Sequence, residues 1–177
     1  MKKILLSMVL CTTLLTSCGV SSYPLRGNYQ PEKFMETNSS FDKVWSNVID
    51  FFAINSIPIT TVEKSSGIIV ASNISIDEKL VTIEDQQGKL TNPDAWFVLP
   101  YEKGRVGGRV TCAFNVRVKE SENGKVIINI NTSNINGYGI SFVMDRFTLK
   151  KDYVIDAIST QCVSTGKFEQ DLMNYMK

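Results

Sequence analysis

The stretch VTCAFNVRVKESENGKVIININ, residues 110–131, decides the fold that we predict. Its first half alternates apolar and polar residues, which is typical of a β-strand with one buried face, and the alternation resumes after a short turn. A three-residue loop over 122–124 sets Val118 opposite Ile128, so that the apolar residues of both strands share a face. The stretch therefore predicts an antiparallel hairpin with Gly124 in the left-handed conformation.

Further strands are predicted on both sides of this hairpin. Upstream, residues 57–62 and 68–76 are rich in β-branched residues and are bounded by turn-forming residues. Downstream, the apolar stretches 140–149 and 153–162 predict a second hairpin, with a short helix over 151–161 as the alternative. We therefore expect several antiparallel strands in the middle of the chain.

A helix is predicted at each end of the strand region. The first begins at Ser39, because an acid three residues later completes the capping-box pattern, and apolar residues then repeat at helical spacing until Asn55. The last helix follows Gly166. Its apolar face consists of Phe168, Leu172, Met173 and Met176. The order of elements predicts an α+β domain: an antiparallel sheet with N-terminal and C-terminal helices packed on one face.

The N-terminus has the features of an exported protein in the expected order. Two lysines precede an apolar run over 4–15, which is too short for a bilayer that needs roughly 20 helical residues. The run ends in Leu15-Thr16-Ser17-Cys18, which resembles the lipobox of bacterial lipoproteins. This resemblance implies cleavage before Cys18 and lipid on its thiol, which would anchor the protein to a membrane. Because residue 19 is Gly rather than Asp, analogy with enterobacterial lipoproteins favours the outer membrane, facing the periplasm.

Three segments follow from this pattern. Residues 1–17 are the predicted signal peptide, 18–38 a lipidated tether, and 39–177 a single α+β domain. Gly, Ser and Pro residues without a sustained period favour the tether. Removing residues 1–17 from the 177 leaves 160, which is a usual size for one domain with a sizeable core.

The composition argues against several classes of function. The whole chain holds 19 basic and 18 acidic residues, and the loss of two lysines with the signal peptide leaves a formal charge of −1. Because the sequence has no basic stripe, nucleic-acid binding has no electrostatic support. The chain has no histidine, which removes Ser-His and Cys-His nucleophile pairs and histidine zinc sites. We therefore expect no metal, no cofactor and no enzymatic activity.

The four cysteines divide into two groups. Cys11 leaves with the signal peptide and Cys18 is lipidated, so that Cys112 and Cys162 remain. An exported protein meets an oxidising compartment, and a disulfide between these two residues is therefore one alternative. The other alternative is two buried free thiols, which behave as small apolar residues.

The segment 96–101 is the strongest candidate for a binding surface. It places Trp96, Phe97 and Tyr101 in a turn-rich stretch, where large apolar residues can form an exposed patch. The alternative is that these residues fold back as a core strand. If the patch is exposed, Trp96 and Tyr101 would offer stacking platforms to a carbohydrate or a lipid.

Three short motifs resemble a known family. They are Ser40-Phe41-Asp42-Lys43-Val44-Trp45, Ile57-Pro58-Ile59 and Lys64-Ser65-Ser66-Gly67-Ile68-Ile69. Together they resemble the helix-grip or TATA-binding-protein-like modules of small bacterial lipoproteins, such as the outer-membrane assembly lipoprotein C family. The resemblance implies a non-enzymatic envelope protein that works by contact. We therefore expect a protein-interaction or structural module of an envelope complex, with a carbohydrate- or lipid-binding lipoprotein as the alternative.

Overall fold

A computed structural model describes residues 23–102, 105–144 and 151–177 of the chain. The predicted signal peptide and Cys18 lie outside these residues. In chain order the elements are β1 (Phe34–Thr37), α1 (Phe41–Ile54), β2 (Thr61–Glu63), β3 (Ile68–Ile76), a 3₁₀ helix (Glu78–Leu80), β4 (Val81–Ile83), β5 (Phe97–Leu99), β6 (Arg105–Glu120), β7 (Val126–Met144), β8 (Lys151–Thr160), β9 (Val163–Ser164) and α2 (Lys167–Tyr175). The prediction of an α+β fold with an antiparallel sheet and two helices is confirmed.

The hairpin of β6 and β7 is the centre of the larger sheet, and its predicted register is confirmed. Val118 pairs with Ile128, as the shared apolar face requires. The backbone N–H of Ser121 donates to the carbonyl of Lys125 at 2.8 Å, which leaves a three-residue loop. Gly124 has a φ of 77°, the left-handed conformation that glycine adopts without steric cost.

The larger sheet has the strand order β1-β7-β6-β3-β2, and β8 also pairs with β7. All of these pairings are antiparallel. The pairing of β8 with β7 confirms the predicted second hairpin and excludes the short helix over 151–161. β7 is one continuous strand from Val126 to Met144, so that the two predicted hairpins share it.

Two β-bulges bend this sheet beside Cys112. One bulge lies between Ala71 and Ile74 of β3, and the other lies opposite Cys112 in β7. The bulged residues Asn73 and Asn134 have φ values of 55° and 51°. Each is the middle residue of a Ser-Asn-Ile tripeptide, 72–74 and 133–135. Asparagine tolerates the left-handed region better than other non-glycine residues, so the repeated tripeptide explains where both strands bulge.

A second, smaller sheet has the order β4-β5-β9, and its first pair is parallel, which the sequence did not predict. It packs against the larger sheet where β6 and β7 carry glycine. A Cβ on Gly108 would lie 1.9 Å from Leu99 Cδ1, and one on Gly137 would lie 2.6 Å from Leu99 Cδ2. These glycines therefore allow the side chain of Leu99 to approach the backbone of the larger sheet.

Phe114 of β6 lies at the centre of the apolar core. The ring of Phe168, from α2, stacks on it with a centroid distance of 3.9 Å. The ring of Phe52, from α1, meets it edge-on at 6.3 Å. Both helices and the inward residues of the larger sheet therefore belong to one core, which buries the apolar face predicted for α2.

The first helix begins one residue later than predicted. Its N-cap is Ser40, whose hydroxyl accepts a hydrogen bond from the backbone N–H of Lys43, rather than Ser39. The acid of the predicted capping box, Asp42, instead pairs with Lys64 at 2.7 Å. The helix ends before Asn55, as predicted.

The predicted domain boundary at residue 39 is wrong, because the folded structure already includes residues 23–38. β1 pairs with β7 over four residues, and the backbone N–H of Ile130 donates to Lys33 at 2.9 Å. The segment before β1 is held by hydrogen bonds to Glu84. Backbone pairing of this kind does not require a periodic pattern of apolar residues. The composition of the segment therefore predicted a tether, although the segment is part of the fold.

Candidate functional site

The predicted aromatic patch is mostly core. Trp96 is 4% exposed and Phe97 is 0% exposed, so that the interpretation of these two residues as an exposed patch is wrong and the core-strand alternative holds. Phe97 lies in β5, where it is covered by neighbouring strands, and the indole N–H of Trp96 donates to Asp171 at 3.1 Å. Tyr101 is half-buried and packs against Tyr23 rather than against Trp96 or Phe97.

One edge of Trp96 reaches a groove of about 360 Å³ between the end of α1 and the end of β3. We call it the Trp96 groove. Its lining residues are Ile54, Asn55, Ser56, Ile57, Ile74, Ser75, Ile76, Asp77, Lys79, Leu80 and Trp96. The lining therefore combines apolar and polar side chains, as small-molecule sites do.

Backbone conformation beside the Trp96 groove is unusual. Ser56 follows the last turn of α1 with a φ of 55°, in the position where helices most often have glycine. Its N–H donates to Ala53 at 3.0 Å, and that of Ile57 donates to Phe52 at 2.8 Å, which closes the helix end. Asn73, the other left-handed residue near this site, directly precedes Ile74 in the lining.

Cys112 and Cys162 are both free thiols rather than a disulfide; Cys112 is buried and Cys162 is half-buried. Burial raises the pKa of each thiol to about 12. For Cys112, burial is the main cause, and Cys162 and the carboxylate of Glu169 raise the pKa further. Protonated thiols at neutral pH are poor nucleophiles, because the thiolate is the reactive form.

Glu169 is a buried carboxylate that the sequence analysis missed. Its two oxygens accept hydrogen bonds from the hydroxyls of Thr132, at 2.7 Å, and Ser164, at 2.9 Å. The hydroxyl of Ser164 in turn accepts from the N–H of Gly166 at 3.1 Å. Because Ser164 is itself buried, this cluster anchors the start of α2 instead of presenting a nucleophile to a substrate. The only signal in the sequence was an acid next to Phe168 in the first turn of the helix.

A second buried carboxylate, Glu84, holds the N-terminal segment. It accepts hydrogen bonds from the backbone N–H of Arg26 at 2.6 Å, from that of Gly27 at 3.2 Å, and from the hydroxyl of Tyr29. Burial alone would raise the pKa of Glu84, but these hydrogen bonds outweigh burial and hold the pKa below its usual value. Burial and the Glu84 carboxylate raise the pKa of Tyr29. We call this group the Glu84 clamp.

The outward-facing residues of the larger sheet form an open surface. The outer face, as we call it, consists of Phe34, Ile68, Val70, Asn115, Arg117, Asn129 and Asn131. They alternate along their strands with buried residues such as Ile69, Val116 and Ile130. The register places Arg117 between Ile68 and Asn129, and Phe34 beyond Asn129. Aliphatic, amide and guanidinium groups therefore lie side by side on one surface.

The described part of the chain offers few features of other site types. Within residues 23–102, 105–144 and 151–177, no group of three or more His, Cys, Asp or Glu side chains is placed to hold a metal ion. None of the helices in these ranges is long and apolar enough to cross a membrane. The outer face and the Trp96 groove are therefore the candidate sites, since both are accessible to another molecule.

A comparison with models of protein families and with curated proteins finds no match to this chain. Its function must therefore be inferred from its own residues and geometry. The Glu84 clamp, the Glu169 cluster and the two thiols are internal, and their hydrogen bonds and burial explain them as parts of the fold. The outer face has no such role in packing, which makes it the best candidate.

Proposed function

We propose that this chain is a membrane-anchored envelope lipoprotein that binds a protein partner and has no enzymatic activity. The lipobox sequence ending in Cys18 supports the anchor, and Gly19 favours the outer membrane with the domain in the periplasm. In this proposal both helices pack on one face of the larger sheet, and the opposite, outer face meets the partner. The protein would thus serve as an interaction or structural module of an envelope complex.

The outer face is the observation that carries the proposal. Phe34 is 46% exposed and stands two strands away from the exposed guanidinium of Arg117. Aromatic residues and arginine are the types most enriched at protein interfaces and at their energetic centres. The neighbouring asparagines offer donors and acceptors to a partner, and Ile68 and Val70 add half-buried apolar area.

The chemistry of the described residues supports a role without catalysis. The thiols of Cys112 and Cys162 are protonated at neutral pH because burial raises their pKa. The hydroxyl of Ser164 is buried and donates to Glu169. The chain has no histidine to activate either kind of nucleophile.

Site-specific photocrosslinking in intact cells tests the partner. A photoreactive amino acid at Asn129 should crosslink one reproducible protein, and the same residue at Gln170, exposed on α2, should not. The added substitution Arg117→Glu should abolish the adduct, because it reverses a charge at the centre of the outer face without disturbing the core. Membrane-bound protein that gives no adduct from Asn129 or Asn131 would overturn the proposed binding surface.

The anchor has its own test. Cys18→Ser should accumulate as unprocessed precursor or as soluble protein, because the thiol that would carry the lipid is gone. Cys162→Ser is the matched control, and it should be processed and fractionate with membranes like the wild type. Normal processing and membrane attachment of the Cys18→Ser variant would contradict the lipoprotein assignment.

Ligand binding in the Trp96 groove is a second candidate function. Its volume of about 360 Å³ lies at the lower end of the range for small-molecule pockets. In a Trp45→Phe variant, Trp96 is the remaining tryptophan and reports directly on the groove. Titration with glycans and with short-chain lipids should then change its fluorescence, and a Leu80→Asp variant should not respond. An unchanged spectrum across both ligand classes would remove this candidate.

A further inference from the structure

We infer that the end of the domain carrying Tyr23 and Tyr101 is held against the lipid headgroups by its own short linker. This inference rests on the proposed lipid at Cys18. Cys18 and Tyr23 are separated by five peptide steps, and a fully extended chain covers at most about 3.6 Å per residue. Tyr23 therefore lies within roughly 18 Å of the lipidated cysteine.

From Tyr23 onward, the chain is bound to the rest of the folded domain. The backbone N–H of Tyr23 donates to the carbonyl of Tyr101 at 3.1 Å, and the two rings pack with a centroid distance of 5.8 Å. The Glu84 clamp fixes the backbone at Arg26 and Gly27 directly afterwards. Residues 23–38 of the predicted tether thus belong to the domain, which leaves residues 19–22 between the domain and the lipidated cysteine.

The residues on either side of Tyr101 are bound to the start of β6. The guanidinium of Arg105 is buried, pairs with Glu102 and donates to the carbonyl of Pro100 at 2.8 Å. The backbone N–H of Arg105 also donates to Glu102 at 3.0 Å. These contacts hold Pro100 and Glu102, the two neighbours of Tyr101, to Arg105 at the start of β6.

The residues at this end suit the interface between water and lipid. Tyr23 is 37% exposed, and tyrosine combines an apolar ring with a polar hydroxyl, which favours the headgroup region. Arg26 is exposed and offers a positive charge to anionic headgroups. Val106, at the start of β6, adds a valine side chain that is 47% exposed.

This placement also orients the domain. β6 runs for 16 residues from Arg105 to Glu120, and a strand rises about 3.3 Å per residue. The hairpin tip over 122–124 therefore lies up to about 50 Å from the end of the domain that carries Tyr23 and Tyr101. Arg117 and Asn129 of the outer face lie near that tip, where a partner protein can reach them without contacting lipid.

Fluorescence quenching in vesicles tests the inference on the full-length, lipidated protein. Single cysteines at Val106 and at Glu122, the matched control at the hairpin tip, would each carry an environment-sensitive fluorophore. Cys112 is buried and Cys162 is half-buried, so both should label more slowly than the exposed engineered cysteines. In vesicles of phosphatidylethanolamine and phosphatidylglycerol that contain a headgroup nitroxide lipid, quenching should be several-fold stronger at position 106 than at position 122.

A longer linker isolates the cause. Insertion of about 20 Gly and Ser residues after Ser21 adds a root-mean-square reach of roughly 25 Å without touching the domain. Most of the quenching at position 106 should then be lost. Quenching that is unchanged by the insertion would overturn the claim that the short linker holds this end at the membrane.

Mass spectrometry of the N-terminal peptide separates the two ways in which the experiment can fail. If Cys18 carries no lipid, the proposed anchor is wrong and the inference falls with it. If Cys18 is lipidated and positions 106 and 122 are quenched equally, the lipoprotein assignment stands and the inference alone is wrong. Lipidated protein with strong quenching at position 106 only supports both.

Discussion

The two faces of the larger sheet are built from the same strands but are constrained differently. On β6, Val116 is buried in the apolar core, and its neighbour Arg117 is exposed on the outer face. An inward residue must match the shape of what it packs against, whereas an outward residue must only remain compatible with a strand. The inner face therefore determines the fold, and the outer face is free to carry a function.

Truncation of one aromatic ring on each side should show the largest contrast. Phe168→Ala removes the ring that stacks on Phe114, and it should lower the free energy of unfolding by about 3–5 kcal/mol. Phe34→Ala, the matched change on the outer face, should cost at most about 1 kcal/mol, because this ring is half-exposed. Urea denaturation of both variants checks the difference. Equal losses would mean that the two faces are packed alike.

Two adjacent glycines test the comparison of buried and open positions by adding a methyl group instead of removing a side chain. Gly108 faces the small sheet, and a Cβ there would collide with buried Leu99 and approach the carbonyl of Tyr138 to 3.1 Å. Gly108→Ala should therefore lower the free energy of unfolding by about 1–3 kcal/mol. At Gly107, the nearest atom to an added Cβ is 4.0 Å away, and Gly107→Ala should change little. Thermal unfolding measures both, and a harmless Gly108→Ala would contradict the close approach of the two sheets.

The inner face is also the part of the fold that the sequence predicts well. Apolar alternation in 110–131 determines the register of the hairpin, because a slip by one residue would expose every buried side chain. The four apolar positions of α2 are found by helical spacing for the same reason. Both patterns arise from burial against a continuous surface, and burial leaves a periodic signal.

What the sequence could not predict depends on contacts between distant segments. The parallel pairing of β4 with β5 and the pairing of β1 with β7 place backbone groups together without any local signature. In the sequence, Glu84 resembles a solvated turn residue. In the folded structure, it accepts hydrogen bonds from Arg26, Gly27 and Tyr29. Trp96 and Phe97 stand among turn residues, although the strand between those turns is buried on both sides.

The candidate site was missed for a related reason. Asn115, Arg117, Asn129 and Asn131 are the polar half of the predicted hairpin, and that half gives the same alternating pattern whether it meets water or a partner. Register was needed to show that Phe34, Arg117 and Asn129 lie beside one another. Only that adjacency distinguishes an interaction surface from a series of separate polar residues.

The bulge at Asn134 offers the subtlest test, because it decides which residues of β7 face inward. Before the bulge the buried residues are Ile128 and Ile130, and after it Ile135 packs against the core, so that the spacing changes from even to odd. Asn134→Val should lower the free energy of unfolding by about 1–2 kcal/mol, because a β-branched residue resists the left-handed conformation. Asn129→Val, on the outer face of the same strand, has ordinary strand geometry and should be neutral or slightly stabilising. Chemical denaturation measures the stability of both variants. If Asn134→Val were as stable as Asn129→Val, the left-handed conformation at the bulge would not be what sets which residues of β7 face inward.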